Sequence, residues 1–209
     1  MEVLSRWITL NTNTMINKQA EVFMNNPKAY AIILASGIGN RCKGDLPKQF
    51  TEIAGRPLLM HTLDVFHHCP LEVEIILVLH AEYIGLWEKL LEQHDFEVPH
   101  EIVLGGKERC HSAQNALSTI PECDDALIAI HDGVRPFVAQ DVIIQAYAKA
   151  RLYGAVIPAI STVNPIRLRK DDELVCLDRT FDRSNILTVQ TPQVFKYGIH
   201  LPRLGHIIP

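Results

Sequence analysis

The feature that most constrains this chain is an alternation of short apolar runs with amphipathic segments, which begins at Tyr30. Apolar runs fall at Tyr30–Ala35, Ile75–Leu79, Glu101–Leu104, Leu127–Ile130 and Ala155–Ile160. Between them, Pro57–His68, Ala81–His94, Glu108–Thr119 and Ala139–Tyr153 carry apolar residues at three- and four-residue spacing, the period of a helix with one buried face. Strands alternating with helices in this way build an α/β fold with a mostly parallel sheet. Pro57 suits a first helical turn, where its missing N–H would have no partner in any case.

The flanks read differently. Residues 1–28 mix polar and apolar residues without a sustained period and are predicted to form a poorly packed leader, within which Met15 and Met24 offer alternative starts. After Ile160 come Pro165 and a charged turn through Arg167, Lys170, Asp171, Asp172 and Glu173, flanked by apolar alternation at Ile166, Leu168, Leu174 and Cys176. That pattern predicts a β-arm over about 161–185 projecting from the sheet. The 209 residues, 47% of them hydrophobic, suffice for one core, so residues 29–209 are read as a single domain.

Composition removes several functions. A net charge of −4 gives no electrostatic reason to expect nucleic acid as a partner, although a few local Arg and Lys can still hold a small anion. Five scattered cysteines without CxxC spacing support neither a disulfide framework nor a zinc site, and they fit a reducing, cytoplasmic setting. No stretch approaches the roughly 20 apolar residues that span a bilayer, so no membrane partner is expected.

Three glycine-containing segments then follow predicted strands. Ala35-Ser36-Gly37-Ile38-Gly39-Asn40-Arg41 follows the first, and its small residues let backbone N–H groups approach an anion. Arg41 and Lys48, the latter within Asp45-Leu46-Pro47-Lys48-Gln49-Phe50, put two cations beside that cradle. Cations so placed stabilise charge at a phosphorus centre under attack. A basic surface loop is the plain alternative. Gly105-Gly106-Lys107-Glu108-Arg109, with Ser112, ends the third strand and opens a helix, at the carboxyl edge where open α/β sheets bind ligands; read alone it is a turn. His131-Asp132-Gly133-Val134-Arg135-Pro136 ends the fourth strand, and Asp132 there can hold Mg²⁺ against a triphosphate, cap the next helix or pair with Arg135. The third glycine of a dinucleotide fingerprint is replaced by Cys42, which disfavours a dinucleotide-binding module.

Taken in order, LASGIGNR with GDLPKQF, GGKERCHS, HDGVRPF and the DRSNILTVQTPQVF segment at 182–195 resemble the 2-C-methyl-D-erythritol 4-phosphate cytidylyltransferase family, from about Tyr30 to Phe195. The resemblance implies a Rossmann-like nucleotidyltransferase fold, glycosyltransferase-A-like, in three α/β/α layers. It also implies transfer of a cytidylyl group from CTP to 2-C-methyl-D-erythritol 4-phosphate with release of pyrophosphate. By the same resemblance Arg41 and Lys48 are catalytic, and Leu34, Ala35, Ser36, Gly37, Gly39, Gly106, Lys107, Arg109, Ser112, Asp132 and Gly133 bind CTP. Asp132 holds Mg²⁺, while Thr162 and Arg183 reach a polyol phosphate in the partner of a homodimer formed through the arm.

Two departures from the family pattern stand out. Ser161, Asn164 and Pro165 differ from the usual arm sequence, and the resemblance implies that the family continues past the QTPQVF segment through a helix, a Thr-Asp-Asp segment, a strand and an Asn-X-Lys motif, relative to which this sequence, ending at Pro209, is read as C-terminally shortened. A ribitol 5-phosphate-type cytidylyltransferase and a shortened, inactive nucleotide-binding form are therefore the alternatives at this point.

Overall fold

A computed structural model describes residues 27–37, 46–163, 166, 168–170, 173–175 and 185–199. The residues of the expected leader before Pro27, and parts of the expected arm, lie outside that set. Strand β1 (Ala29–Ala35) leads through a 3-10 turn at Lys48–Phe50 to a small hairpin, β2 (Glu52–Ile53) and β3 (Arg56–Pro57), and then to helix α1 (Leu58–His67). Next come β4 (Val73–Leu79), a 3-10 turn at Ala81–Tyr83, α2 (Ile84–Gln93), β5 (Glu101–Leu104), α3 (Arg109–Leu117), β6 (Leu127–Asp132) and α4 (Gln140–Tyr153). Strands β7 (Ala155–Val156), β8 (Ala159–Ser161), β9 (Leu168–Lys170), β10 (Glu173–Val175), β11 (Leu187–Val189) and β12 (Gln193–Lys196) complete the described elements.

The main sheet has the order β5-β4-β1-β6-β12-β7. Its first four strands are parallel, and β12 runs antiparallel between β6 and β7. In register, Ala35 lies beside Leu79, Leu79 beside Leu104, and Leu34 beside Asp132. The carboxyl ends of the four parallel strands therefore form one edge. Sequence order reverses between β1 and β6, the switch point at which such sheets open a ligand crevice.

Side-chain alternation on β1 explains the layers. Ala31, Ile33 and Ala35 join a core with Leu59, Met60, Leu63 and Phe66 of α1, Trp87 of α2 and Ile143 and Tyr147 of α4. Tyr30 and Ile32 pack on the other face with Ala113, Ala116 and Leu117 of α3. Fully burying an Ile, Leu or Phe side chain contributes about 1.5–3 kcal/mol, so these paired faces are what holds the helices to the sheet. The buried Tyr147 hydroxyl donates to the Tyr30 carbonyl at 2.7 Å, and burial pushes that phenol upward. Helix α4 ends at Gly154, whose φ of 88° lies in the left-handed region that glycine tolerates and whose N–H donates to Ala150 O at 2.7 Å.

Three expectations change in detail. The run Ala155–Ile160 is two strands: β7 pairs with β12 in the main sheet, whereas β8 pairs with β11 in a separate ribbon, and Pro158 between them has no N–H to continue a ladder. Pro57 precedes the helix as its N-cap with extended ψ of 138°, and α1 begins at Leu58. The segment Ala81–His94 opens with a 3-10 turn before α2. The predicted hairpin is present as the antiparallel pair β9 and β10.

Candidate active site

The cradle is assembled where β1, β5 and β6 end. Gln49 is buried, and its side-chain amide donates to Ala35 O at 2.8 Å and to Gly37 O at 2.9 Å. This clips the Pro47–Phe50 turn to the end of β1 and fixes the position from which the exposed Lys48 departs. Phe50 anchors the same turn against Tyr83 and Trp87, with ring centroids 5.5 and 6.5 Å away.

Ser36 joins the second segment. Its hydroxyl lies 3.0 Å from that of the buried Ser112, which in turn accepts the Gly106 N–H at 3.0 Å. Gly105 runs beneath Ser36 so closely that a side chain there would collide with Ser36 Cβ and lie 2.8 Å from its hydroxyl. Gly106 is equally crowded, by His111. The glycine pair is thus required by close approach, which the bare reading as a turn did not reveal. Lys107 is exposed on this loop.

Asp132 closes the arrangement. Arg109 from the first turn of α3 forms an ion pair with Asp132, its Nη1 2.9 Å from Oδ1, and Arg135 Nε donates to Oδ2 at 2.8 Å. Arg135 also reaches Gln190 Oε1 at 3.3 Å, carrying the network to the strand β11 side. Gly133 donates its N–H to Leu34 O at 2.9 Å, and its carbonyl accepts the buried Thr62 hydroxyl at 2.8 Å. A Cβ at Gly133 would stand 2.9 Å from that of Ala35, so β1 and the Asp132 loop meet at small residues.

His131 lies under this loop, fully buried, with its ring edge-on to Phe66 at a centroid distance of 5.0 Å. Its Nε2 is 3.0 Å from Arg135 O. Burial pushes the imidazole down to about 4, against the favourable effects of the Arg135 carbonyl and of Asp132, so it is neutral at pH 7 and serves as the N–H donor to that carbonyl.

The structure therefore brings Leu34, Ala35, Ser36, Gly37, Gly106, Arg109, Ser112, Asp132 and Gly133 into one connected edge. Thr162 stands apart, at the root of the β8–β11 ribbon, where its N–H donates to Ile186 O at 3.3 Å. Gly39, Arg41 and Arg183 lie outside the described residues. Sequence reasoning assigned no role to Gln49, Thr62, His131 or Gln190, and offered Arg135 only as a salt-bridge partner of Asp132, which it is. Gln49, His131, Arg135 and Gln190 lie inside the motifs, whereas Thr62 carries no local signal.

The donor chemistry at Asp132 fits Mg²⁺. A magnesium ion is ordinarily held by one or two carboxylates together with substrate phosphates and water, and a carboxylate has about four lone-pair sites, of which the Arg135 hydrogen bond uses one. A cradle of small residues, nearby cations and one such carboxylate is suited to a nucleoside triphosphate.

The sequence model of the 2-C-methyl-D-erythritol 4-phosphate cytidylyltransferase family matches residues 29–202. The protein of that name from Bacteroides fragilis is 42% identical over 165 residues, which are 79% of this chain and 73% of the relative. That from Porphyromonas gingivalis is 41% identical over 169 residues, 81% and 72% of the two chains. Among solved structures, the Francisella tularensis 2-C-methyl-D-erythritol 4-phosphate cytidylyltransferase superposes with a TM-score of 0.64 at 31% identity, covering 82% of this chain and 73% of its own. The 4-diphosphocytidyl-2C-methyl-D-erythritol synthase of Anaerococcus prevotii gives 0.71 at 26% identity, covering 90% and 78%. On its sheet order, its connected strand-end cradle and a match that runs through both, this chain belongs to the 2-C-methyl-D-erythritol 4-phosphate cytidylyltransferase family.

Proposed function

We propose that this chain transfers the cytidylyl group of CTP to 2-C-methyl-D-erythritol 4-phosphate, forming 4-diphosphocytidyl-2-C-methyl-D-erythritol and pyrophosphate. The observation that carries the reading is the chain of contacts from Ser36 through Ser112 to Gly106, with Arg109 of the same helix bound to Asp132. In the reaction an oxygen of the substrate phosphate attacks the α-phosphorus of CTP in line. The new P–O bond forms as the bond to the β-phosphate oxygen breaks, and pyrophosphate carries away the electron pair. A phosphate monoester is already anionic at neutral pH, with a second pKa of about 6, so the nucleophile needs no general base.

The work left to the protein is positioning and charge stabilisation. Backbone N–H groups around Ser36, Gly37 and Gly39 receive the triphosphate, while Arg41 and Lys48 stabilise charge on the α-phosphoryl oxygens. Gly106, Lys107, Arg109 and Ser112 hold the nucleoside end. Asp132 would hold Mg²⁺, which when bound neutralises charge on the phosphate oxygens. Thr162 and Arg183 take the phosphate of the polyol.

The same reading includes a homodimer formed through the arm. Phe137 and Val163 are 88% and 82% exposed, and Ile160, Leu187 and Val189 are also exposed. Phe137 and Ile160 line a groove of about 830 Å³ that runs from Val134 and Arg135 to Gln190 and Thr191. An apolar surface of this kind beside polar site residues suits a second copy of the chain. A cytoplasmic setting is part of the proposal. Among the described residues no helix is long and apolar enough to cross a membrane, and Cys69, Cys110 and Cys123 carry free thiols.

Pyrophosphate release tests the substrate assignment: with CTP and Mg²⁺, turnover is expected with 2-C-methyl-D-erythritol 4-phosphate. Release with ribitol 5-phosphate alone would replace the proposed acceptor.

A further inference from the structure

We propose that Glu108, Cys110 and His111 form a binding site for one borderline-soft divalent cation of the Zn²⁺ class, on the rim of the nucleotide cradle. Glu108 Oε2 lies 3.7 Å from Cys110 Sγ and 3.9 Å from His111 Nδ1. The ligand atoms of all three residues lie within 4.8 Å of one another. Tetrahedral Zn²⁺ with its usual bond lengths holds a sulfur and an oxygen about 3.5 Å apart, and a nitrogen and an oxygen about 3.3 Å apart. Closing the site therefore requires contractions of roughly 0.2–1.3 Å in partly exposed side chains.

Two further features make the three groups available together. Glu108 is the N-cap residue of α3, yet its carboxylate accepts none of the helix N–H groups and turns to Cys110 and His111 instead. The Gly106 backbone approaches the His111 Cβ so closely that a side chain on Gly106 would collide with it. The side chains of Glu108 and His111 are 65% and 50% exposed, so an ion enters without any opening of the fold.

The donor set decides the class of ion. A thiolate with an imidazole selects Zn²⁺ and similar cations over Mg²⁺ and Ca²⁺, which prefer oxygen. The site is thus distinct in chemistry from the carboxylate of Asp132. Three protein ligands leave the fourth position to water, and binding releases the Cys110 thiol proton to solvent. An ion here would tie the loop at Glu108 to the first turn of α3, on both sides of Arg109. The inference does not rest on the proposed cytidylyl transfer.

The test is a titration of the full chain with Co²⁺, followed by thiolate-to-cobalt charge-transfer absorption in the near ultraviolet, and then by competition with Zn²⁺. One Co²⁺ per chain is expected, displaced by one equivalent of Zn²⁺. The band should vanish in Cys110→Ser, and affinity should fall on the order of tenfold or more in Glu108→Gln and His111→Ala, with unchanged melting of all three variants. Absence of the band in the wild type at millimolar Co²⁺ would overturn the proposal. So would a band that survives in Cys110→Ser, or unaltered affinity in both other variants.

Discussion

Arg109 Nη1 lies 2.9 Å from Asp132 Oδ1, which joins the first turn of α3 to the end of β6 across the mouth of the cradle. Both side chains are less than one-third exposed, at 29% and 26%, so the pair is only partly screened by water. Arg109→Ala is expected to lower kcat/KM for CTP by roughly 2- to 150-fold, the loss of a partly buried ion pair coupled by about 0.5–3 kcal/mol. A double-mutant cycle with Asp132→Asn should return a coupling of about 0.5–3 kcal/mol; additive effects would separate the two residues.

Gln49 carries the turn that bears Lys48. Gln49→Leu leaves the carbonyls of Ala35 and Gly37 without their donor. The unmet buried carbonyl of Ala35 costs about 1–3 kcal/mol, so a lower melting temperature is expected together with a reduced kcat. Lys48→Ala should reduce kcat with melting unchanged, because that side chain is exposed. A Gln49→Leu variant with wild-type kcat would show that the clip does not position Lys48.

Gly105→Ala forces a Cβ into Ser36 and toward Leu79 O at 3.4 Å. Overpacking of this kind costs about 1–3 kcal/mol, and relief by displacement of Ser36 breaks its contact with Ser112. Weaker CTP binding by calorimetry is the expected result, and unchanged affinity would argue against close approach as the reason for the glycine.

His131 sets a pH dependence. Its folded pKa lies below the unfolded value, so between about 6.5 and about 4 the unfolded chain binds more protons and stability falls as the pH is lowered. At about 1.4 kcal/mol per unit, the full effect is roughly 3 kcal/mol. Denaturant unfolding between pH 4.5 and 7 should show this decline in the wild type and a shallower one in His131→Gln. Equal slopes would exclude His131 as its source.

Phe137, 88% exposed, is the probe of the proposed dimer. Sedimentation velocity should give a dimer for the wild type and a monomer for Phe137→Glu. A monomeric wild type would remove the dimer from the account.

Much of this architecture was legible because its causes are local. The strands β1, β4 and β6 are buried on both faces and so read as continuous apolar runs, and the helices show the period of one buried face. The cradle was legible because Ser36, Gly106 and Asp132 lie at or just beyond the carboxyl ends of β1, β5 and β6. What escaped depends on contacts remote in sequence. Thr62 meets Gly133 across 71 positions, and Tyr147 meets Tyr30 across 117. The insertion of β12 between β6 and β7 is likewise non-local, and neither its composition nor that of β8 announces which sheet it joins. His131 is polar by residue type, and only the packing of Phe66 and the Asp132 loop around it makes it a core residue.

The most direct test of the central claim is ³¹P NMR of the purified chain incubated with CTP, Mg²⁺ and 2-C-methyl-D-erythritol 4-phosphate. The account predicts loss of the monophosphate and triphosphate resonances, with pyrophosphate and a new diphosphate diester appearing in equal amounts. Binding of CTP with no diester formed, at any concentration of the polyol phosphate, would contradict it.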